Sequence, residues 1–290
     1  MKDKDTFFLK KYTLQIGGKI VELSTPKIMG ILNVTPDSFY DGNKYTNQKK
    51  ILEKVTQMIN EGADFIDVGA VSSRPGANPV TADEELKRLN MALEVIRDHF
   101  PDIILSIDTC RSEIAEYVIK TFKAGMINDI TAGSADEKML SIVAASEVPY
   151  IMMHMKGNPQ IMQKNPVYEN VTKEVIGFFS ERLEQARLAG INDIIIDPGF
   201  GFGKTIQHNY TLLNQLDAFK IFELPVMVGV SRKSMIYKTL EITPEESLNG
   251  TTILNTLALV NGADILRVHD VKEAKEAIRL TQMWLKATNR

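Results

Sequence analysis

Short apolar runs alternate along the chain with longer stretches in which apolar residues recur every three or four positions. The runs occupy 28–32, 65–68, 103–107, 126–127, 149–153, 194–196, 226–230 and 265–268. Unbroken aliphatic runs of this kind suit strands covered on both faces, as in a parallel sheet. Between them, Ile51, Val55, Met58 and Ile59 define one helical face, and Leu86, Leu89, Leu93 and Ile96 another. The same spacing predicts helices over 114–122, 139–145, 175–188, 248–260 and 274–285. Ahead of all these, Tyr12, Leu14 and Ile16, then Ile20 and Leu23, flank Gly17-Gly18. Two short alternating strands around a Gly-Gly turn predict a β-hairpin.

Local signals agree with this alternation. Thr81 with Glu84 fits a capping box at a helix start. Gly62, Gly125, Gly190 and Gly262 each follow a helical stretch and precede a strand, where a C-terminal glycine cap is expected. The fragments Glu61-Gly62-Ala63-Asp64 and Asn261-Gly262-Ala263-Asp264 predict equivalent turns. Eight strand–helix units without an intervening linker predict an α/β fold, a (β/α)8 barrel with a short N-terminal hairpin, as one domain over 1–290. A doubly wound open sheet is the alternative, and eight units in one domain favour closure.

In such a barrel, the residues that end the strands face the active site. They are Asn33; Asp67; Asp108; Asn128 with Asp129; His154; Asp197; Ser231, Arg232 and Lys233; and Arg267 with His269. An Asp or Asn at such a place is often only a helix N-cap, and that reading is preferred for Asp129 and Asp270. Carboxylates and amides cluster at the third, fourth and sixth strands, and cations at the seventh and eighth. A carboxylate can accept two parallel bonds from a ring N–H and an adjacent amino group, as on a 2-amino-4-oxo-pyrimidine. Cations after the last strands suit a phosphate.

The stretch 194–205 carries the most information. It ends a β-branched run at Asp197 and then places Gly199, Gly201 and Gly203 at alternate positions before Lys204-Thr205. A P-loop requires four residues between its first glycine and Gly-Lys-Thr; here three intervene, and Pro198 occupies the position that would fit. The glycines are therefore expected to leave room for a flat ligand.

Composition narrows the classes. A net charge of −3 offers no basic footprint for nucleic acid. One cysteine, Cys110, excludes an internal disulfide and suits a reducing compartment; packing as a small buried residue is its expected role. No apolar run approaches the ~18 residues of a membrane span, and the charged start Lys2-Asp3-Lys4-Asp5 lacks the apolar core of a signal peptide. A cytoplasmic protein is expected. His99, His154, His208 and His269 show no zinc-ligand spacing, whereas Mg²⁺ held mainly by a substrate diphosphate, with Asn33 as a protein oxygen, is compatible.

Several stretches together resemble the dihydropteroate synthase family. They are Met29 to Phe39, Ser73-Arg74-Pro75-Gly76, Ser106-Ile107-Asp108-Thr109, Ile127-Asn128-Asp129-Ile130, Asp197 to Lys204, Ser231-Arg232-Lys233-Ser234 and Arg267-Val268-His269-Asp270. They fall in register across nearly the whole chain. The resemblance implies a transferase that joins 6-hydroxymethyl-7,8-dihydropterin diphosphate to p-aminobenzoate. It also implies Mg²⁺, a homodimer and sulfonamides as inhibitors. By resemblance, Asp108, Asn128, Asp197 and Lys233 hold the pterin, with Asp197 and Lys233 central to catalysis. Asn33, Arg267 and His269 hold the diphosphate, with the metal at Asn33. Ser73, Arg74, Pro75, Phe202 and Ser231 line the aminobenzoate site, and Thr35, Pro36 and Asp37 lie on a mobile loop that completes it. Where the family often has Gly-Glu-Ser-Thr after Asp67-Val68-Gly69, this chain has Ala70, Val71, Ser72 and Ser73: the glycine and the acid are lost, and Ser73 keeps the hydroxyl.

Two other readings share the pterin carboxylates. A barrel that passes a methyl group from a reduced folate to a corrinoid would need neither the anion cluster nor the Ser73-Arg74-Pro75 loop. A barrel that binds pterin without catalysis is opposed by Asn33 and by both loop signatures.

Overall fold

The computed structural model describes residues 12–35, 44–72, 79–157 and 166–288. Strands β1 (Thr13–Ile16) and β2 (Lys19–Glu22) form the antiparallel hairpin, turned by Gly17 and Gly18, both at positive φ. The eight runs form parallel strands: β3 (Lys27–Asn33), β4 (Phe65–Gly69), β5 (Ile104–Asp108), β6 (Met126–Asp129), β7 (Tyr150–Met153), β8 (Ile194–Asp197), β9 (Met227–Val228) and β10 (Ile265–Val268). The sheet runs β8-β7-β6-β5-β4-β3-β10-β9, and a parallel bridge from Ile196 to Val226 joins its two ends. The expected barrel is therefore the observed one, and the open sheet is excluded.

Helices α1 (Lys44–Glu61), α2 (Ala82–His99), α3 (Ser112–Phe122), α4 (Met139–Ser146), α5 (Val171–Leu188), α6 (Ile206–Asn214), α7 (Ser234–Leu240), α8 (Leu248–Val260) and α9 (Val271–Thr288) connect the strands, with a 3-10 turn at Leu216–Phe222. The apolar spacing does not predict α6, α7 or the 3-10 turn. None of them carries a repeating apolar stripe in the sequence: α7 and the 3-10 turn have seven residues each, and in α6 only Leu212 and Leu213 are buried apolar residues. Helix α6 is fixed at its start instead, where the Thr205 hydroxyl accepts from the His208 N–H and the His208 ring accepts from the Thr205 N–H. At α2 only half of the expected capping box forms. Thr81 accepts from the Glu84 N–H, while the Glu84 carboxylate goes to Arg88.

Side chains alternate across each strand. One parity faces the helices: Ile28, Leu32, Ile66, Val68, Leu105, Ile107, Ile127, Ile196, Leu266 and Val268 are buried in the outer core. The other parity fills the barrel. Its lower layer is Met29, Phe65, Met126, Ile151, Ile195, Met227 and Ile265, and the hairpin places Leu14, Ile16 and Leu23 beneath it as a plug. Two residues further along the strands, the same inward parity carries Asp67, Ser106, Asn128, Asp197 and Arg267. The barrel is thus apolar at its N-terminal mouth and polar at its C-terminal mouth.

The two look-alike turns are equivalent. In each, the glycine has positive φ, the following alanine N–H returns to the helix, and the aspartate carboxylate accepts a backbone N–H. Asp64 takes that of Ile28, and Asp264 that of Val226. Gly190 caps α5 in the same way, but Gly125 does not have positive φ. The left-handed cap of α3 is Lys123, and a Cβ on Gly125 would lie 2.7 Å from the Ile16 side chain. Gly125 is needed for contact with the plug.

Because Ile16 fills a closed apolar layer, Ile16→Ala should lower the free energy of unfolding by roughly 2–4 kcal/mol. Urea unfolding should show a lower midpoint with an unchanged m-value.

Candidate active site

The polar mouth is organised around two side chains from opposite ends of the sequence. Asp67, on β4, is fully buried. Its Oδ1 accepts from the Ser106 hydroxyl at 2.5 Å, and its Oδ2 accepts from Asn128 Nδ2 at 3.0 Å and Arg267 Nε at 2.7 Å. Arg267 also donates from Nη2 to Asp108 Oδ2 at 3.0 Å. One guanidinium therefore bridges two carboxylates, and one of those carboxylates orients an amide.

Register sets the next level. Asn33 pairs with Gly69, Gly69 with Asp108, and Asp108 with Asn128, so three of the predicted residues share one rung. Gly69 leaves that rung open. A Cβ there would lie 3.3 Å from Asp108 Cβ and 3.6 Å from Asn33 Oδ1. Burial pushes the Asp108 carboxyl up to about 7, against the pull of Arg267, and the carboxylates of Asp67, Asp129 and Asp197 add to the rise.

Asp197 ends β8, and its Oδ1 accepts from the Gly199 N–H at 2.8 Å. Burial raises this carboxyl, while Lys233 and the Gly199 N–H lower it. The glycines that follow have positive φ, and two of them touch backbone. A Cβ on Gly199 would lie 1.9 Å from the His154 carbonyl oxygen, and one on Gly203 would lie 2.3 Å from that of Lys156. The expectation of open room is corrected at these two positions, where the glycines seat the loop on the segment after β7. At Gly201 the added atom would lie 3.2 Å from Lys233 Cδ. Lys233 Nζ donates to the Phe200 carbonyl and sits 4.7 Å from the centre of the Phe202 ring. Burial depresses the Lys233 ammonium to about 8, although Asp197 supports its charge.

The predicted cation cluster separates into distinct roles. Arg232 is held by Asp270 through two bonds, at 3.1 and 2.6 Å, which makes it a structural residue. Asp270 does precede α9, but its carboxylate serves Arg232. Asp129 is no helix cap either; it accepts from Thr131, Gly133 and the Tyr150 hydroxyl. The Ser231 hydroxyl accepts from the His269 N–H at 3.3 Å and so can donate to His269 Nδ1 at 3.0 Å. With the hydroxyl donating in this way, the ring proton is on Nε2. Burial, with Arg267 and Arg232 nearby, holds the imidazole down to about 4. Near neutral pH, His269 is a neutral donor and does not act as a cation.

Ser73, Arg74 and Pro75 lie outside the described residues, as do Pro36 and Asp37. Cys110 is half-buried, and burial and Asp129 raise its thiol. No group of three or more His, Cys, Asp or Glu side chains suited to a metal occurs among the described residues. Two residues have roles that the sequence does not show. Asp67 stands among the strand-end candidates, but its part as the partner of Arg267, Asn128 and Ser106 appears only in the fold. Lys204 is buried behind the glycine loop, and nothing in its local sequence signals that.

The folded carboxyl of Asp108 binds its proton more tightly than the ordinary value of 3.8 allows. Its contribution to stability is present below about pH 4 and is lost as pH rises through about 7. Asp108→Asn should therefore narrow the difference between the thermal midpoints at pH 5 and pH 8.

A family model described as "Pterin binding enzyme" matches residues 29–269. Dihydropteroate synthase of Escherichia coli (strain K12) is 43% identical over 272 residues, which cover 93% of this chain and 95% of that one. The Yersinia pestis dihydropteroate synthase, solved as a sulfonamide drug complex, superposes with a TM-score of 0.88 at 39% identity, covering 95% of this chain and all of the other. The Xanthomonas albilineans dihydropteroate synthase solved with 4-aminobenzoic acid gives a TM-score of 0.87 at 37% identity, covering 95% and 98%.

Proposed function

The chain belongs to the dihydropteroate synthase family of pterin-binding enzymes, and from that premise we propose how its residues divide the reaction. It is a transferase that condenses 6-hydroxymethyl-7,8-dihydropterin diphosphate with p-aminobenzoate, giving 7,8-dihydropteroate and diphosphate for folate biosynthesis. Displacement at a methylene beside an electron-rich ring can be dissociative, since the ring stabilises the developing cation. The protein then has to orient the ring, bind the leaving group and exclude water. The aromatic amine is neutral near pH 7 and can attack without a strong base.

Asp108, Asn128, Asp197 and Lys233 form the pterin site. The observation that carries this assignment is that Asp108 and Asn128 hydrogen-bond to the Asp67–Arg267 pair while Asp197 and Lys233 lie close enough to feel each other and Arg267. Asp197 is the acceptor for the ring N–H and amino group, and Lys233 is the cation beside it. Both touch the reacting half of the substrate, which makes them the catalytic pair. Asn33, Arg267 and His269 take the diphosphate: Arg267 as the cation, His269 through its neutral Nε2–H. Arg267 meets that anion while still held by Asp67, so its reach is preset.

The family's Mg²⁺ fits this mouth. Asn33 offers a hard amide oxygen beside the rung shared with Asp108, and a diphosphate would supply most of the remaining oxygens. Bound there, the ion would neutralise charge on the departing diphosphate. Ser73, Arg74, Pro75, Phe202 and Ser231 line the aminobenzoate site. The proximity of the Phe202 ring to Lys233 supports this, because a wall there would adjoin the residues assigned to the pterin.

A homodimer is the proposed assembly. Ile253 and Leu257 on α8, with Leu280, Met283 and Trp284 on α9, are each at least 46% exposed, a patch suited to a second copy. The barrel is read as one domain over 1–290, supported by the family match across 29–269. Among the described residues no helix is long and apolar enough to cross a membrane. A cytoplasmic setting is proposed, in keeping with a single cysteine.

Asp197→Asn keeps the shape but puts a donor against the donors of the ring. Calorimetry should show pterin affinity reduced on the order of 10- to 100-fold. Near-normal affinity would refute the role of Asp197 as the edge ligand.

A further inference from the structure

Lys204 is buried to 2% exposure immediately behind the glycine loop, and every group around its ammonium is an acceptor. Nζ lies 2.9 Å from the Gly199 carbonyl oxygen, 3.1 Å from that of Phe202, 3.4 Å from that of His154 and 2.9 Å from His154 Nδ1. A compact ammonium with three protons is the side chain best suited to such a ring of acceptors. His154 is itself 5% exposed, and its ring packs edge-on against Phe178 at 4.9 Å. Burial and the cations Lys204 and Lys156 hold the imidazole down to about 2, so Nδ1 is free to accept.

The rest of the loop is tied from outside. The Gly201 N–H donates to Asn209 Oδ1 at 2.7 Å, and the Tyr168 hydroxyl donates to the Gly203 carbonyl at 2.9 Å. Phe202 lies between these ties, and its own carbonyl is one of those that Lys204 holds. Of the groups assigned to the pterin, Asp108 and Asn128 belong to a separate network through Asp67 and Arg267. Asp197 and Lys233 meet the loop only at the Gly199 N–H and the Phe200 carbonyl, and Lys204 hydrogen-bonds to none of the four.

We propose that Lys204 is a positioning residue for p-aminobenzoate: held by His154, its ammonium clamps the Gly199 and Phe202 carbonyls and so fixes the ring wall at Phe202. This rests on Phe202 being that wall. Catalysis then depends on a buried amino group that touches neither substrate; burial lowers its ammonium to about 7, although Asp197 supports the charge. The clamp also accounts for glycine at 199, because only a residue without Cβ lets the loop approach the His154 carbonyl closely enough to share one ammonium.

Steady-state kinetics on Lys204→Met, His154→Leu, His154→Asn and Phe202→Ala tests the proposal. Lys204→Met should raise the KM for p-aminobenzoate about tenfold and that for the pterin diphosphate several-fold less, because Asp108 and Asn128 stay held through Asp67 and Arg267. His154→Leu should do the same in smaller degree, and His154→Asn, which returns an acceptor near the place of Nδ1, should recover most of the loss. Equal rises in both KM values, or an Asn variant as impaired as the Leu variant, would overturn the clamp. If Lys204→Met does not fold, the His154 pair carries the test. If Phe202→Ala leaves the aminobenzoate KM unchanged, it is the wall that is misassigned. Amide exchange over 199–203 then decides the clamp: faster in the Leu but not the Asn variant supports it, while both or neither rejects it.

Discussion

A guanidinium inside a barrel needs counter-charge, and the polar mouth is arranged to supply it. Arg267 projects inward from β10, where the layer below is entirely apolar. Its charge would be prohibitive there without partners. Asp67 and Asp108 meet it from β4 and β5, and Asp67 spends its remaining acceptor capacity on Ser106 and Asn128. Five strand-borne side chains thereby hold one another in place before any ligand arrives. For a reaction that needs orientation and charge more than a strong base, such preset geometry is the main contribution a protein can make.

The second half of the mouth follows different rules. Asp197 and Lys233 are placed by a loop, and the loop is placed by backbone contacts that only glycine permits at 199 and 203. Lys204 and His154 lock it from behind. The two networks meet where Lys233 and Arg267 both act on Asp197. One half of the site is rigid because strands carry it, the other because a buried ammonium gathers its carbonyls.

Much of this was legible in the sequence, for physical reasons. Strands covered on both faces have to be apolar, so all eight appeared as runs, and the Gly17-Gly18 turn exposed the hairpin. Site residues such as Asn33, Asp108, Asn128 and Asp197 were visible because a strand end is the one place where such a run turns polar. Pairing between distant residues was not visible. Asp67 and Arg267 are 200 positions apart, and nothing local distinguishes an arginine that bridges carboxylates from one that awaits an anion. The neighbours Arg232 and Lys233 read as one cationic patch but separate, because Arg232 has a left-handed backbone and turns to Asp270. Gly125 was read as a cap, and only the packed hairpin shows that Ile16 needs the space.

The central claim is that Asp67 fixes Arg267 for the diphosphate end of the substrate. A double-mutant cycle with Asp67→Asn and Arg267→Gln, read as the calorimetric affinity for the pterin diphosphate with aminobenzoate withheld, tests it most directly. The two substitutions should be coupled by about 1–3 kcal/mol, the double variant losing far less than the sum of the singles. Additive losses, within about 0.5 kcal/mol, would contradict the claim.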